Sequence, residues 1–106
     1  LRRTESASRI VTMLARQLRL ILLCQDLVSQ RVPQAAFPER LGLAGFAVRT
    51  VLAQARRYSF EQVAAMYRLI LNTDLSMKRG EIEEQLAIEI LVAEMSHQST
   101  AGPKQR

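Results

Sequence analysis

Residues 52–80 constrain the fold more than any other stretch, because they mark both ends of one helix. Ser59 can cap a helix start, and Gln62, three residues later, completes the pattern of a capping box. Gly80 follows a lysine and an arginine, a combination typical of a helix C-terminus. The spacing predicts a helix over residues 60–79, separated by a short break from the helix before it.

This helix carries a broad apolar face with one carboxylate inside it. The apolar residues recur every three or four positions: Phe60, Val63, Ala64, Tyr67, Ile70, Leu71 and Leu75. Asp74 lies on the same face, and an unpaired buried carboxylate is costly, so we expect a cationic partner. Lys78 is one candidate, and Arg56 on the preceding helix is the stronger one, because a guanidinium could lock the angle between the two helices. A buried pair would make Asp74→Ala cost on the order of 3 kcal/mol. The alternative is a solvated Asp74 at the edge of the bundle.

The rest of the chain is also predicted to be helical, with no alternating strand pattern. A first helix, capped by Ser6 or Ser8, runs to about Ser29. Prolines and a glycine in residues 31–44 indicate a loop with one short helix. Further helices are predicted over residues 45–57 and 82–97. The sequence therefore predicts a single all-α bundle of about five helices, one of them short. We expect a frayed leader of a longer protein over residues 1–8, a helical oligomerisation domain over 9–97 and a disordered tail over 98–106.

Two helices carry more apolar residues than one core face needs. Leucines intrude on the polar face of the first helix, where they are covered either by the chain itself or by a partner protein. The last helix has two apolar stripes, one formed by Leu86, Ile90 and Ala93 and the other by residues between 88 and 95. We predict a partner interface, through which the isolated chain could self-associate. Its residues are Leu20, Leu23, Leu27, Ile88, Val92 and Met95.

The charge balance favours acidic partners, including nucleic acid, as much as it favours a solvated surface. The net charge is +5 and the isoelectric point is near 10.3. Candidate residues for non-specific DNA contact are Arg49, Arg56 and Arg57. Residues 36–49 also have the spacing of a helix-turn-helix. Against this, Pro38 falls inside its first helix, and its second helix lacks a Ser or Thr cap.

No residues point to catalysis, a cofactor or a metal. The chain lacks the phosphate-cradling pattern GxxxxGK[ST], and its one histidine and one cysteine lie far apart in sequence. Glutamates at positions 81, 83 and 84 are typical of a helix start. A lone cysteine, Cys24, suits a reducing cytoplasm. The longest apolar run, residues 20–24, is far too short to span a bilayer.

Residues 54–61, QARRYSFE, and 74–80, DLSMKRG, resemble the C-terminal domain of the delta subunit of bacterial DNA polymerase III. The resemblance extends to residues 41–43 and Phe46 upstream and 86–91 downstream, and covers roughly residues 10–95. The chain departs from the family pattern at Ala44-Gly45, where a His-Pro pair is common, so the start of the third helix is expected to differ.

The resemblance implies a role in the sliding-clamp loader. In that family the C-terminal helical domains of several subunits join in a ring-shaped collar, while N-terminal parts, which these residues do not include, engage and open the clamp. The delta subunit is not itself an ATPase. The implied function is a non-catalytic assembly domain in a DNA-directed DNA polymerase (nucleotidyltransferase) holoenzyme, with other clamp-loader subunits as partners and at most weak, non-specific DNA binding. The alternative is a regulatory DNA-binding module.

Overall fold

The computed structural model describes residues 2–101, and the side chains of residues 7–97. It contains five α-helices and one turn of 3-10 helix at Gln34–Ala36. The α-helices are α1 (Arg2–Ser29), α2 (Phe37–Leu41), α3 (Gly45–Arg57), α4 (Phe60–Lys78) and α5 (Glu84–Ala101). About 85% of the described residues are helical and none of them forms a strand, which confirms the predicted all-α bundle.

The two ends of α4 form as the sequence predicts. The Gln62 backbone N–H donates to Ser59 Oγ at 3.0 Å, and the Ser59 N–H donates to Gln62 Oε1 at 2.9 Å, completing the capping box. Gly80 adopts φ 72°, and its N–H donates to the Met77 carbonyl while the next N–H donates to that of Ser76. This pair of bonds is the Schellman termination, which needs the left-handed conformation that glycine adopts without strain.

The first and last helices begin or end away from the predicted positions. α1 begins at Arg2, ahead of Ser6 and Ser8, so neither serine caps it. α5 begins at Glu84 because the carboxylate of Glu83 accepts hydrogen bonds from two backbone N–H groups of the first turn, both at 3.0 Å. α5 continues to Ala101, four residues beyond the predicted end. The predicted leader and tail fall partly outside the described residues and stay predictions.

α1 forms the centre of the fold, because it contacts each of the other four α-helices. α4 also packs against α5, and α2 against α3. The fully buried side chains come from four of these helices: Val11, Cys24, Phe37, Val63, Ile70 and Leu91. The molecule measures 44 × 32 × 19 Å, and its short dimension accommodates two layers of helices about 10 Å across. Because the molecule is only two helix layers thick, many of its apolar residues lie near the surface.

Candidate assembly surface

α4 carries more apolar residues than its neighbours cover. Val63, Met66 and Ile70 are buried where α1 and α5 pack on the helix. The other apolar residues of the predicted face include three that are exposed by 46 to 56%: Phe60, Leu71 and Leu75. These three recur at intervals of eleven and four residues, so they form one uncovered edge along α4. A stripe of this kind is typical of a surface that another protein covers.

The three α1 leucines predicted as partner contacts do not form one surface. Leu27 is 7% exposed and belongs to the core, so its own chain covers it, and its prediction as a contact is wrong. Leu20 is partly buried and lines a groove of about 300 Å³ beside Phe46 of α3. Leu23 is 46% exposed. The leucine stripe is therefore divided between core, groove and open surface.

On α5, the structure turns the predicted contact stripe largely inward. Ile88 and Met95 pack against the core, and Val92 is 53% exposed. The other stripe is the outward one, with Leu86 exposed by 47% and Ile90 by 45%. The two stripes are similar in the sequence, so only the packing of α5 on α1 and α4 decides which of them faces solvent.

A groove of about 550 Å³ opens between α1, α3 and α5, with Met66 of α4 also in its wall. It brings together Val92 and Met95, two of the predicted contact residues, with apolar residues of α1. Gln17 Nε2 donates to Gln54 Oε1 at 2.7 Å in the groove wall, which ties α1 to α3. The groove has the chemistry to receive apolar side chains from a partner helix.

Gln25 fixes the end of α3 against α1, a role that the sequence analysis did not identify. Its Nε2 donates to the carbonyl of Ala55 at 3.2 Å and to that of Tyr58 at 2.9 Å. These carbonyls lie at a helix C-terminus, where backbone acceptors have no partner within the helix. Gln25 Oε1 is buried and accepts no hydrogen bond within the described part of the chain. The available signal was a polar residue directly after the longest apolar run.

Asp74 pairs with Lys78, not with Arg56, among the side chains that the structure describes. The Lys78 Nζ lies 2.9 Å from Asp74 Oδ2, and the aspartate side chain is 26% exposed. The favoured Arg56 pairing is wrong for a geometric reason. Asp74 lies fourteen residues, or about 20 Å, along α4 from its start, whereas Arg56 is at the junction. α3 and α4 moreover both pack on α1 rather than on each other. No lock between α3 and α4 forms through this pair, and the end of α3 is held instead against α1 by Gln25.

The three arginines predicted as DNA contacts are all exposed on α3. The Arg57 guanidinium lies 5.5 Å from the ring centroid of Tyr58, within cation–π range. Burial raises the pKa of the Cys24 thiol, and the positive charge of Arg56 opposes this with a smaller lowering. Cys24 is thus held as a neutral thiol in the core, which is unsuited to a nucleophile.

The described residues offer no other reactive centre. No group of three or more His, Cys, Asp or Glu side chains among them could hold a metal ion. None of the helices in the part of the chain described above is both long and apolar enough to cross a membrane. The described residues do offer exposed apolar edges and grooves, which are typical of interaction surfaces.

Comparison with known proteins agrees with this interpretation. The family "DNA polymerase III delta subunit, C-terminal domain" matches residues 1–95. The chain is similar to the protein named "DNA polymerase III subunit delta" of Bacillus subtilis (strain 168), with 26% identity over 95 residues. The matched region is 90% of this chain but only 27% of that relative. No solved structure matches.

Proposed function

Because the chain belongs to the family of C-terminal domains of the DNA polymerase III delta subunit, we propose that it is a non-catalytic assembly domain of the clamp loader. It holds its parent subunit among the other loader subunits, in the helical collar from which the sliding clamp is loaded during replication. The family match and the likeness to a relative named as subunit delta support this proposal. They give no support to a regulatory helix-turn-helix.

The observation that carries the proposal is the uncovered apolar edge of α4. A surface helix of a stable monomeric protein buries one apolar stripe and exposes polar residues to solvent. α4 instead exposes Phe60, Leu71 and Leu75 by about half, although it already buries a separate apolar stripe formed by Val63, Met66 and Ile70. Exposing this much apolar area costs free energy in water, and a partner protein that covers it recovers that cost.

The other predicted contacts lie on α1 and α5 and differ in exposure. Leu23 and Val92 are the most exposed of them, while Leu20, Ile88 and Met95 are partly buried. We assign Leu23 and Val92 to direct contact with the partner protein. The three partly buried residues support the contact surface from below. The Asp74–Lys78 pair stabilises the last turns of α4, and so supports the helix that carries the edge.

The test uses the complete parent subunit in a reconstituted clamp loader. Leu71→Glu and Leu23→Glu each place a charge where a partner would exclude water, so we expect the subunit to co-elute with the loader at reduced occupancy. Asn72→Glu is the matched control, because it adds the same charge one residue away on an exposed position of α4. If both leucine variants are folded by circular dichroism and still co-elute with the loader at the wild-type level, the proposal is contradicted.

The proposal also includes weak DNA binding and a cytoplasmic location. Arg49, Arg56 and Arg57, all exposed on α3, contribute at most weak, non-specific attraction to phosphates through their positive charge. A buried, neutral Cys24 as the lone cysteine fits a reducing cytoplasm, where replication takes place.

A further inference from the structure

Charge is distributed unevenly between two helices. Residues 40–60, which contain α3, carry four arginines and no acidic residue. Residues 80–97, which contain most of α5, carry five glutamates and no lysine or arginine. The molecule therefore has a basic helix and an acidic helix, although its overall net charge is only +5.

The outward faces of these helices repeat one pattern with opposite charge. In α3 the exposed residues at intervals of three, one and three positions are Phe46, Arg49, Thr50 and Ala53. In α5 the exposed residues at the same intervals are Leu86, Glu89, Ile90 and Ala93. This spacing places each set on one helix face. Each face thus offers a large apolar group, one charge, and an alanine small enough for another helix to approach closely.

Both faces are exposed, and Glu89 Oε2 accepts a 3.4 Å hydrogen bond from Gln85 of its own helix. Phe46 is 66% exposed, more than any other large apolar residue described. Arg49 and Glu89 take part in no ion pair among the described residues. α3 and α5 do not pack against each other in this part of the chain, so one molecule cannot satisfy both faces by itself.

We propose that the outer face of α5 in one molecule docks on the outer face of α3 in a second copy of this chain. Glu89 then faces Arg49, and the apolar residues of α5 cover Phe46. Pairing like with like is disfavoured, because α3 on α3 opposes arginines and α5 on α5 opposes glutamates. The contact is therefore head to tail, so an assembly of two or more copies keeps one free basic face at one end and one free acidic face at the other.

This inference goes beyond the clamp-loader proposal, because it concerns identical copies and not unlike subunits. One helix pair buries less than the roughly 1,200 Å² typical of stable complexes, so the association is weak and concentration-dependent. Weak contact between identical chains is compatible with a single copy in a loader, whose contacts with unlike subunits we place on the edge of α4.

Sedimentation equilibrium of the 106-residue chain at low salt, over a range of concentrations, provides the test. We expect the average mass of the wild type to rise above the monomer with concentration. Arg49→Glu and Glu89→Arg should each weaken association at least about tenfold, since each places like charges opposite one another. Arg68→Glu, an exposed position on α4, makes the same change in net charge as Arg49→Glu and should leave association unchanged.

A mixture of Arg49→Glu and Glu89→Arg tests whether α5 of one copy docks on α3 of another. Each variant supplies the face that the other has lost, so the mixture should associate again while the separate samples stay monomeric. Melting followed by circular dichroism checks that both variants are folded. A monomeric wild type, or a mixture that stays monomeric, would overturn the proposal without touching the clamp-loader assignment, which rests on co-elution with other subunits.

Discussion

Gln25 has more effect on the fold than its modest hydrogen bonds suggest, because one amide group satisfies two carbonyls. We expect Gln25→Ala to lower the free energy of unfolding by about 2 kcal/mol, since Ala55 and Tyr58 would lose partly buried donors. Urea denaturation measures the change. The control is Gln85→Ala, whose side chain is exposed at the start of α5. Equal effects of the two substitutions would show that Gln25 is only one more surface amide.

Asp74 contributes less stability than its place on an apolar face predicts. Its partner Lys78 is 68% exposed, and a solvated pair four residues apart on a helix contributes about 0.5 kcal/mol. Asp74→Ala should therefore cost less than about 1 kcal/mol, and the cost should shrink in high salt. Thermal denaturation at two salt concentrations tests this. A salt-independent loss of about 3 kcal/mol in the free energy of unfolding, as expected for a buried ion pair, would show that the carboxylate is buried.

Among the elements, α4 depends most clearly on its local sequence. Ser59→Ala removes one half of the capping box, and we expect a loss of about 1 kcal/mol in the free energy of unfolding. Ser96→Ala is the matched control, because Ser96 is exposed within α5, where alanine favours the helix. Chemical denaturation of both variants gives the comparison. An equally stable Ser59→Ala protein would mean that packing alone fixes where α4 begins.

Local signals predicted the helices well, and contacts between distant residues limited the prediction of the surface. α3 and the start of α4 lie at their predicted positions, because glycine, serine and basic residues mark helix ends through nearby atoms. Whether Leu27 is covered depends on how α1 packs in three dimensions, and so does which stripe of α5 faces out. Gln25 was missed for the same reason, since its acceptors lie thirty or more positions away.

At the scale of the whole molecule, a basic surface should give DNA affinity without sequence preference. If the three exposed arginines of α3 contact phosphates, the slope of log K against log salt should be roughly −3. Arg49→Ala should reduce that slope by about 1 for every duplex, whereas Arg68→Ala serves as the control. Fluorescence anisotropy with two unrelated duplexes measures both effects. Tight binding to one of them at physiological salt would favour a specific DNA-binding role instead.

The central position of α1 also sets the order in which the chain can fold during synthesis. α1 leaves the ribosome before the four other helices described here, yet it contacts all of them, and the fully buried Leu91 comes some sixty residues after α1 ends. At about 5 to 20 residues per second, its apolar face waits roughly 3 to 12 s for the last of its native neighbours. During that interval α1 is a nascent amphipathic helix without a core, and therefore a natural client for chaperones that shield emerging hydrophobic segments.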